Sequence, residues 1–471
     1  MPPRKRTSLL AAALLAAGLT PLAVSAPADA AAARYADDFN GDGYPDLALG
    51  DSLATVAGRK QAGAVLVVWG TASGPDPARR TVITQNSPNV AGGAETNDRF
   101  GSKITTADLN TDGYADILVT ALGERVGSRT GTFTVLWGSR AGVSGGSQYT
   151  SPGTSCRTCN FAADLAVGDF NADGRPDVVS VDDDAIWYQR GPFTKSGARG
   201  TVTNLDPVHG EDMDASLVVS GKVTKDGTAD FAVIGYDADT RGTRVWFYKG
   251  SASGPVRPPK KVALPASPDL VGSGATIADF DRNGYGDLAV GVSRSGLGGA
   301  VHVLKGTSTG FSSTVTSLSQ NTSGVPGTRE ANDYFGYDVS AGDVNGDGYP
   351  DLAVGAPTEV LGTRPASSGA VTVLRGGASG LTGTGSRQYD YTTPGVEGPF
   401  DQGDTWFGAS VLLRDHNRDG RAELVASSPE VGLLHLLPGT SSGPTGTGST
   451  TLTAAGLGLG SLPYFGAALA D

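Results

Sequence analysis

The sequence predicts an all-β fold: a seven-bladed β-propeller closed by pairing of its N- and C-terminal segments. Three observations point there. One acidic nine-residue motif recurs along the 471 residues. Each copy is followed by short apolar runs bounded by Gly and Ser, which read as strands buried on both faces. The two ends of the chain carry complementary halves of one repeat. No segment beyond the N-terminal leader shows sustained helical periodicity.

The motif is D-x-[ND]-x-[DN]-G-x-x-[DE]. It stands as DFNGDGYPD from Asp38, DLNTDGYAD from Asp108, DFNADGRPD from Asp169, DFDRNGYGD from Asp279, DVNGDGYPD from Asp343 and DHNRDGRAE from Asp415. A degenerate seventh copy, KVTKDGTAD, starts at Lys222. Successive starts lie 53 to 72 residues apart. Eight residues before each later start lies an F-G-like pair: Phe100-Gly101, Phe161-Ala162, Asp214-Ala215, Val271-Gly272, Phe335-Gly336 and Phe407-Gly408. After each loop comes a run such as LALG or LAVG, then a longer one such as GAVLVVWG or GAVTVLRG.

Each unit thus has an F-G strand, an acidic loop, two buried strands and room for a fourth. Four-stranded units arranged radially give a propeller, which protects its strand edges. Closure is written in the ends. YFGAALAD (Tyr464 to Asp471) is an F-G strand with no loop after it, and YADDFNGDG is a loop with no F-G strand before it. Joined, they complete one blade. An open solenoid would need polar capping repeats instead.

These linked motifs resemble the FG-GAP repeat of integrin α-subunit propellers and their secreted bacterial relatives. The GAP element stands as Gly355-Ala356-Pro357, with variants Ser427-Ser428-Pro429 and Gly291-Val292-Ser293. The resemblance covers essentially all of residues 31–471, and it implies the propeller fold and calcium loops. It says little of biological role, since one fold hosts many functions.

The loop chemistry suits calcium, a hard cation that takes six to eight oxygens. Alternate residues at positions one, three and five turn side-chain oxygens inward. Gly at position six permits the backbone reversal, position seven offers a carbonyl, and position nine adds a carboxylate. The candidate ligands of six sites are therefore Asp38, Asn40, Asp42, Tyr44 and Asp46; Asp108, Asn110, Asp112, Tyr114 and Asp116; Asp169, Asn171, Asp173, Arg175 and Asp177; Asp279, Asp281, Asn283, Tyr285 and Asp287; Asp343, Asn345, Asp347, Tyr349 and Asp351; and Asp415, Asn417, Asp419, Arg421 and Glu423. An EF-hand would need a bidentate acid at position twelve. That position holds Leu49, Val119, Ser180, Val290, Val354 or Ala426. The copy at Lys222 lacks an acid at positions one and three and is expected to bind no calcium. Its Lys222 ammonium either fills the ion's place or points to solvent.

Composition bounds the remaining choices. Arg4, Lys5 and Arg6 precede the apolar run Ser8 to Leu19, with small-residue cleavage points after Ala26 and Ala30. Residues 1–30 therefore read as a secretory signal peptide, and residues 31–471 as one secreted, extracellular propeller domain. The apolar run is too short to span a bilayer. In an oxidising compartment, Cys156 and Cys159 are expected to form one short disulfide. The net charge is −12; residues 1–30 contribute +2, so the remainder carries −14. That disfavours nucleic acid, which needs basic patches. Six Ca²⁺ would nearly neutralise it. The expected state is a monomer with an extracellular protein or glycan as ligand.

Two enzyme readings compete. Gly50-Asp51-Ser52-Leu53 imitates an esterase nucleophile block, with Asp206 and His209 as further triad members and Asn97 as an oxyanion donor. Repeat register explains these differently: Gly50-Asp51-Ser52 occupies the GAP position, and ETNDRFG (Glu95 to Gly101) matches EANDYFG (Glu330 to Gly336). His302, His416 and His435 fall at repeat positions with no paired nucleophile. A polysaccharide lyase or glycosidase is the second alternative, although many carboxylates are committed to the loops.

Strand parity places the acidic loops on one face. The connectors VAGGAETNDRFG, VPGTREANDYFG and VEGPFDQGDTWFG then lie on the other. They offer Glu95, Asp98, Arg99, Glu330, Asp333, Tyr334, Asp404 and Trp406 as ligand-face candidates, or as braces of the inter-blade turns. In integrins this opposite face takes part in ligand and partner binding, so the resemblance points the same way.

Overall fold

The computed structural model describes residues 1, 32–153, 160–182, 185–206, 213–265, 274–362, 367–399, 403–454 and 464–470. The leader, Cys156, Cys159, His209 and the Val271-Gly272 pair lie outside the described residues.

Seven four-stranded antiparallel sheets form the seven blades. Blade 1 joins the chain ends, with strands Ala468–Leu469, Leu47–Asp51, Ala64–Val68 and Arg80–Ile83. Blade 2 begins at Phe100–Ala107 and blade 3 at Asp164–Gly168. Blades 4 to 7 begin at Met213–Gly221, Ala275–Ala278, Val339–Gly342 and Val411–Arg414. Each of blades 2 to 7 is a meander of consecutive strands. The sole helical element among the described residues is a single 3-10 turn, Pro429–Val431. All six position-twelve residues lie buried in second strands, which excludes the EF-hand arrangement.

The expected closure is present. Leu49 pairs with Leu469 and Gly50 with Ala468. Phe465 is fully buried in a cluster with Leu47, Leu49, Leu412, Val425 and Leu434. That cluster joins blade 7 to blade 1, and the other apolar clusters likewise lie between neighbouring sheets. Burial of both sheet faces explains why the second strands read as continuous apolar runs.

The F-G element differs from its expected form. In blades 6, 7 and 1 the ladder starts after the pair, at Val339, Val411 and Ala468. Phe335, Phe407 and Phe465 are fully buried wedges, and the glycine after each has a positive φ of 74–91°. The preceding residues Tyr334, Trp406 and Tyr464 are also left-handed, with φ 57–72°. The pair is therefore a tight entry turn that drives a ring between blades. Its receptor is a glycine opening the third strand of the previous blade. A Cβ at Gly63, Gly299 or Gly369 would meet the carbonyl oxygen of Phe100, Phe335 or Phe407 at 2.0–2.4 Å.

The innermost strands of all seven blades surround a central cavity of about 1480 Å³. Lys103, Asp164, Tyr337, Asp338 and Arg414 are among its lining residues. No helix among the described residues is long and apolar enough to cross a membrane.

Candidate metal loops and the opposite face

The six intact acidic loops share one backbone. In blade 1, the Asp38 carboxylate accepts the amides of Asp42 and Gly43 at 3.1 and 2.8 Å. Asn40 Oδ1 accepts the Asp42 amide, and Asp42 Oδ1 accepts the Tyr44 amide. The same bonds recur around Asp108, Asp169 and Asp415. Position six is left-handed as expected, from Gly43 to Gly420. Position four is left-handed as well, at Gly41, Thr111, Ala172, Arg282, Gly346 and Arg418 (φ 54–77°). That second reversal is invisible in the motif because position four is not restricted to glycine.

Position two anchors the loop. Phe39, Leu109, Phe170, Phe280, Val344 and His416 are each fully buried. Position nine pins it to the sheet. Asp46 accepts the Phe39 amide at 2.9 Å and the Gly70 amide at 2.7 Å. Asp116 does the same for Leu109 and Gly138.

Burial drives these carboxylates up, and neighbouring acids add to it. Asp46 is raised to about 7 and Asp116 to about 8, with Asp42, Asp38 and Asp112, Asp108 as the respective neighbours. Asp287 rises to about 6 and Glu423 to about 7, also through burial first. Such a loop gains from a cation. Ligand oxygens of Asp279, Asp281 and Asp287 lie within 4.8 Å of one another, as do those of Asp415, Asp419 and Glu423. A set of carboxylate and amide oxygens on this backbone fits a hard divalent cation.

Neighbouring loops touch through side chains that the motif leaves free. Arg282 lies over the Tyr349 ring at 5.4 Å, Arg418 over Tyr44 at 5.7 Å and Lys225 over Tyr285 at 4.3 Å. Position four of one loop thus meets position seven of the next. Arg418 also donates to the Gly43 carbonyl at 2.9 Å.

The loop at Lys222 departs from the others. Lys225 at its position four is not left-handed. Lys222 is exposed. The cation on this loop is Lys249, whose Nζ lies 3.0 Å from Asp226 Oδ2. Burial pushes Asp226 up, but the hydrogen bonds from Lys249, the Thr228 amide and Thr224, with the Lys249 charge, together outweigh it and hold the acid below its ordinary value.

On the opposite face the connector residues divide. Asp98 and Asp333 are buried and accept the amides of Glu95 and Glu330 at 2.5 Å, so they brace turns. Asp404 is exposed and accepts the Ser367 amide at 2.8 Å. Glu95, Arg99 and Glu330 are exposed, while Tyr334 and Trp406 are half-buried. Sequence reading missed two buried pairs behind these turns. Gln85 Nε2 donates to Glu124, and Gln320 Nε2 to Glu359, each at 2.6 Å.

Of the described residues, His302, His416 and His435 are buried. Burial lowers His302 and His435 to about 4. His302 does have a hydroxyl neighbour that the sequence did not reveal: its cross-strand partner Ser317, with Oγ 2.8 Å from Nδ1. Its Nε2 is buried and has no hydrogen-bond partner among the described residues. Asp51 of the esterase-like block is buried at the end of its strand and accepts the Leu53 amide.

The geometry defines a closed propeller with acidic loops on one face and polar inter-blade turns on the other. The chain carries FG-GAP repeats and resembles an integrin-like FG-GAP propeller. The FG-GAP repeat model matches residues 35–68 and 335–374, and an FG-GAP-like repeat model matches 108–180. The chain is 31% identical over 144 residues to phosphatidylinositol-glycan-specific phospholipase D of Bos taurus, covering 30% of this chain and 17% of that protein. It is 34% identical over 142 residues to integrin alpha-6 of Homo sapiens, covering 28% and 12% respectively. The chain thus spans less than a fifth of the length of either relative. The solved Dos1 propeller is similar at 10% identity and a TM-score of 0.42, over 80% of this chain and 78% of that one.

Proposed function

We propose that this protein is a secreted, calcium-stabilised binding or adhesion module whose ligand is an extracellular protein or glycan. The observation that carries this reading is the division of labour between faces. On one face the acidic loops use their side chains on their own backbone and leave clustered oxygens suited to Ca²⁺. On the other, Glu95, Arg99, Glu330 and Asp404 stay exposed on turns held by buried braces. Up to six loops hold calcium, through the residues at positions one, three, five and nine and the carbonyl at seven. Calcium stabilises the folded state by binding it preferentially.

The test is a binding screen against glycans and cell-surface proteins, with saturating calcium and with chelator. Calcium-dependent binding to one class, weakened in Arg99→Glu and Glu330→Lys, is the expected result. Absence of binding together with depolymerisation of a polysaccharide would replace this reading with a carbohydrate-active enzyme.

A further inference from the structure

The residue at the end of each blade's third strand, one position past the strand or its last residue in blade 6, stands beside that blade's acidic loop. The glycine after it fixes this placement. The amides of Gly70, Gly138, Gly191, Gly250, Gly306 and Gly376 each donate to the position-nine carboxylate at 2.7–3.0 Å. In blades 3 to 6 the preceding residue is basic: Arg190, Lys249, Lys305 and Arg375. Each one reaches a loop acid. Arg190 Nη2 lies 3.2 Å from Asp173, Lys249 Nζ 3.0 Å from Asp226, Lys305 Nζ 2.9 Å from Asp281 and Arg375 Nη1 2.9 Å from Asp351. In blades 1, 2 and 7 the same position holds Trp69, Trp137 and Pro438, which carry no charge. Asp112 of blade 2 is met by another route, through Lys195 of blade 3 at 3.0 Å. In blade 7, the one ion-pair partner of Asp419 among the described residues is Arg421 of its own loop, at 3.7 Å.

We propose that the basic residue ending the third strand is a built-in counter-cation, which competes with calcium for the loops of blades 3, 5 and 6 and has replaced it in blade 4. The inference rests on the calcium reading above. A divalent ion and an ammonium or guanidinium repel one another, and both seek the same carboxylate oxygens. Lys305 must release Asp281 before an ion can use that oxygen, and Arg190 must release Asp173. Blade 4 is the end point of this series. Positions one and three have become Lys222 and Thr224, and Lys249 supplies the remaining positive charge. The loops therefore form two classes. Those of blades 3, 5 and 6 fill at higher calcium than the loop of blade 1, whose acids make no ion pair among the described residues.

Calorimetric calcium titration, with ions counted by equilibrium dialysis, tests this on the full chain. The wild type is expected to show at least two classes of site. Lys305→Met should tighten one site by roughly fivefold, the loss of a partly exposed ion pair, and Lys305→Arg should leave it unchanged. Arg190→Met should tighten a different single site. Lys249→Met should add no site and should lower the melting temperature equally with and without calcium. A calcium-binding wild type whose affinities do not move in Lys305→Met and Arg190→Met overturns the inference alone. A wild type that takes up no calcium overturns the calcium reading and the inference with it.

Discussion

Gly355, the first residue of the GAP element, lies directly against Gly408 of the next blade's F-G pair. A Cβ added at Gly355 would stand 2.1 Å from the Gly408 carbonyl oxygen. The same contact recurs between Gly50 and Gly101 and between Gly291 and Gly336, at 2.1 and 2.0 Å. The two named parts of the repeat are thus one joint between consecutive sheets. Gly355→Ala is expected to destabilise the fold by roughly 2–3 kcal/mol, because backbone must shift to admit the methyl. Gly377→Ala, with open space around it, is the control. Denaturant unfolding of both variants checks this, and equal midpoints would remove the steric account.

The ring closure depends on a short segment. Leu469 pairs with Leu49, the Ala470 amide donates to Ala48 at 3.1 Å, and Ser410 Oγ donates to the Ala467 carbonyl at 2.8 Å. Phe465 fills the space between blades 7 and 1. Phe465→Ala should cost about 3–4 kcal/mol by leaving a cavity there. Deleting residues 464–471 should lower the unfolding midpoint further, since it also exposes the inner edge of Leu47–Asp51. A deletion variant as stable as the parent would mean that the pairing is dispensable.

Blade number, closure and loop positions are legible in the sequence because each repeats in register with a strong pattern: Gly at position six, an acid at nine, Phe before Gly. What cannot be read there depends on pairs brought together across strands and blades. Nothing near Asp226 in the chain announces Lys249, which arrives from the end of the third strand. Gln320 and Glu359 belong to different blades and meet only when the sheets stack. The left-handed turns at Arg282 and Arg418 escape notice because residues other than Gly, Asn and Asp rarely signal that conformation. The F-G pair reads as strand, yet its glycine and the residue before it both need positive φ in blades 6 and 7, which ends the ladder early.

Calcium removal gives a graded prediction. Each site saturated at a hundredfold over its Kd stabilises the native state by about 2.7 kcal/mol. Chelation should therefore lower the melting temperature substantially, and readdition should restore it. Asp343→Ala removes the carboxylate that accepts the amides of Gly346 and Gly348, each at 2.7 Å. It should bind one ion fewer by equilibrium dialysis. Asp226→Asn in the degenerate loop should leave the ion count unchanged. A melt insensitive to chelator would contradict the metal reading of the loops.

The Gln320–Glu359 pair predicts a pH dependence on the other face. Burial raises Glu359 from 4.5 to about 7, the hydrogen bond from Gln320 opposes this, and the charges of Asp333, Glu330 and Asp390 add to the rise. The folded state therefore holds a proton that the unfolded chain releases near 4.5. Stability from this group is fully present below pH 4.5 and is lost as pH rises through about 7. Glu359→Gln keeps the site neutral, retains an acceptor for Gln320 Nε2, and adds a donor beside Gln320 Oε1, which is buried without a partner. At saturating calcium the variant should match the parent at pH 4 and exceed it at pH 8 by roughly 3 kcal/mol, since each tenfold change in proton affinity is worth about 1.36 kcal/mol. Unfolding free energies measured across that range decide the matter. Parallel curves for the two proteins would show that Glu359 titrates alike in the folded and unfolded chain, and would overturn the prediction.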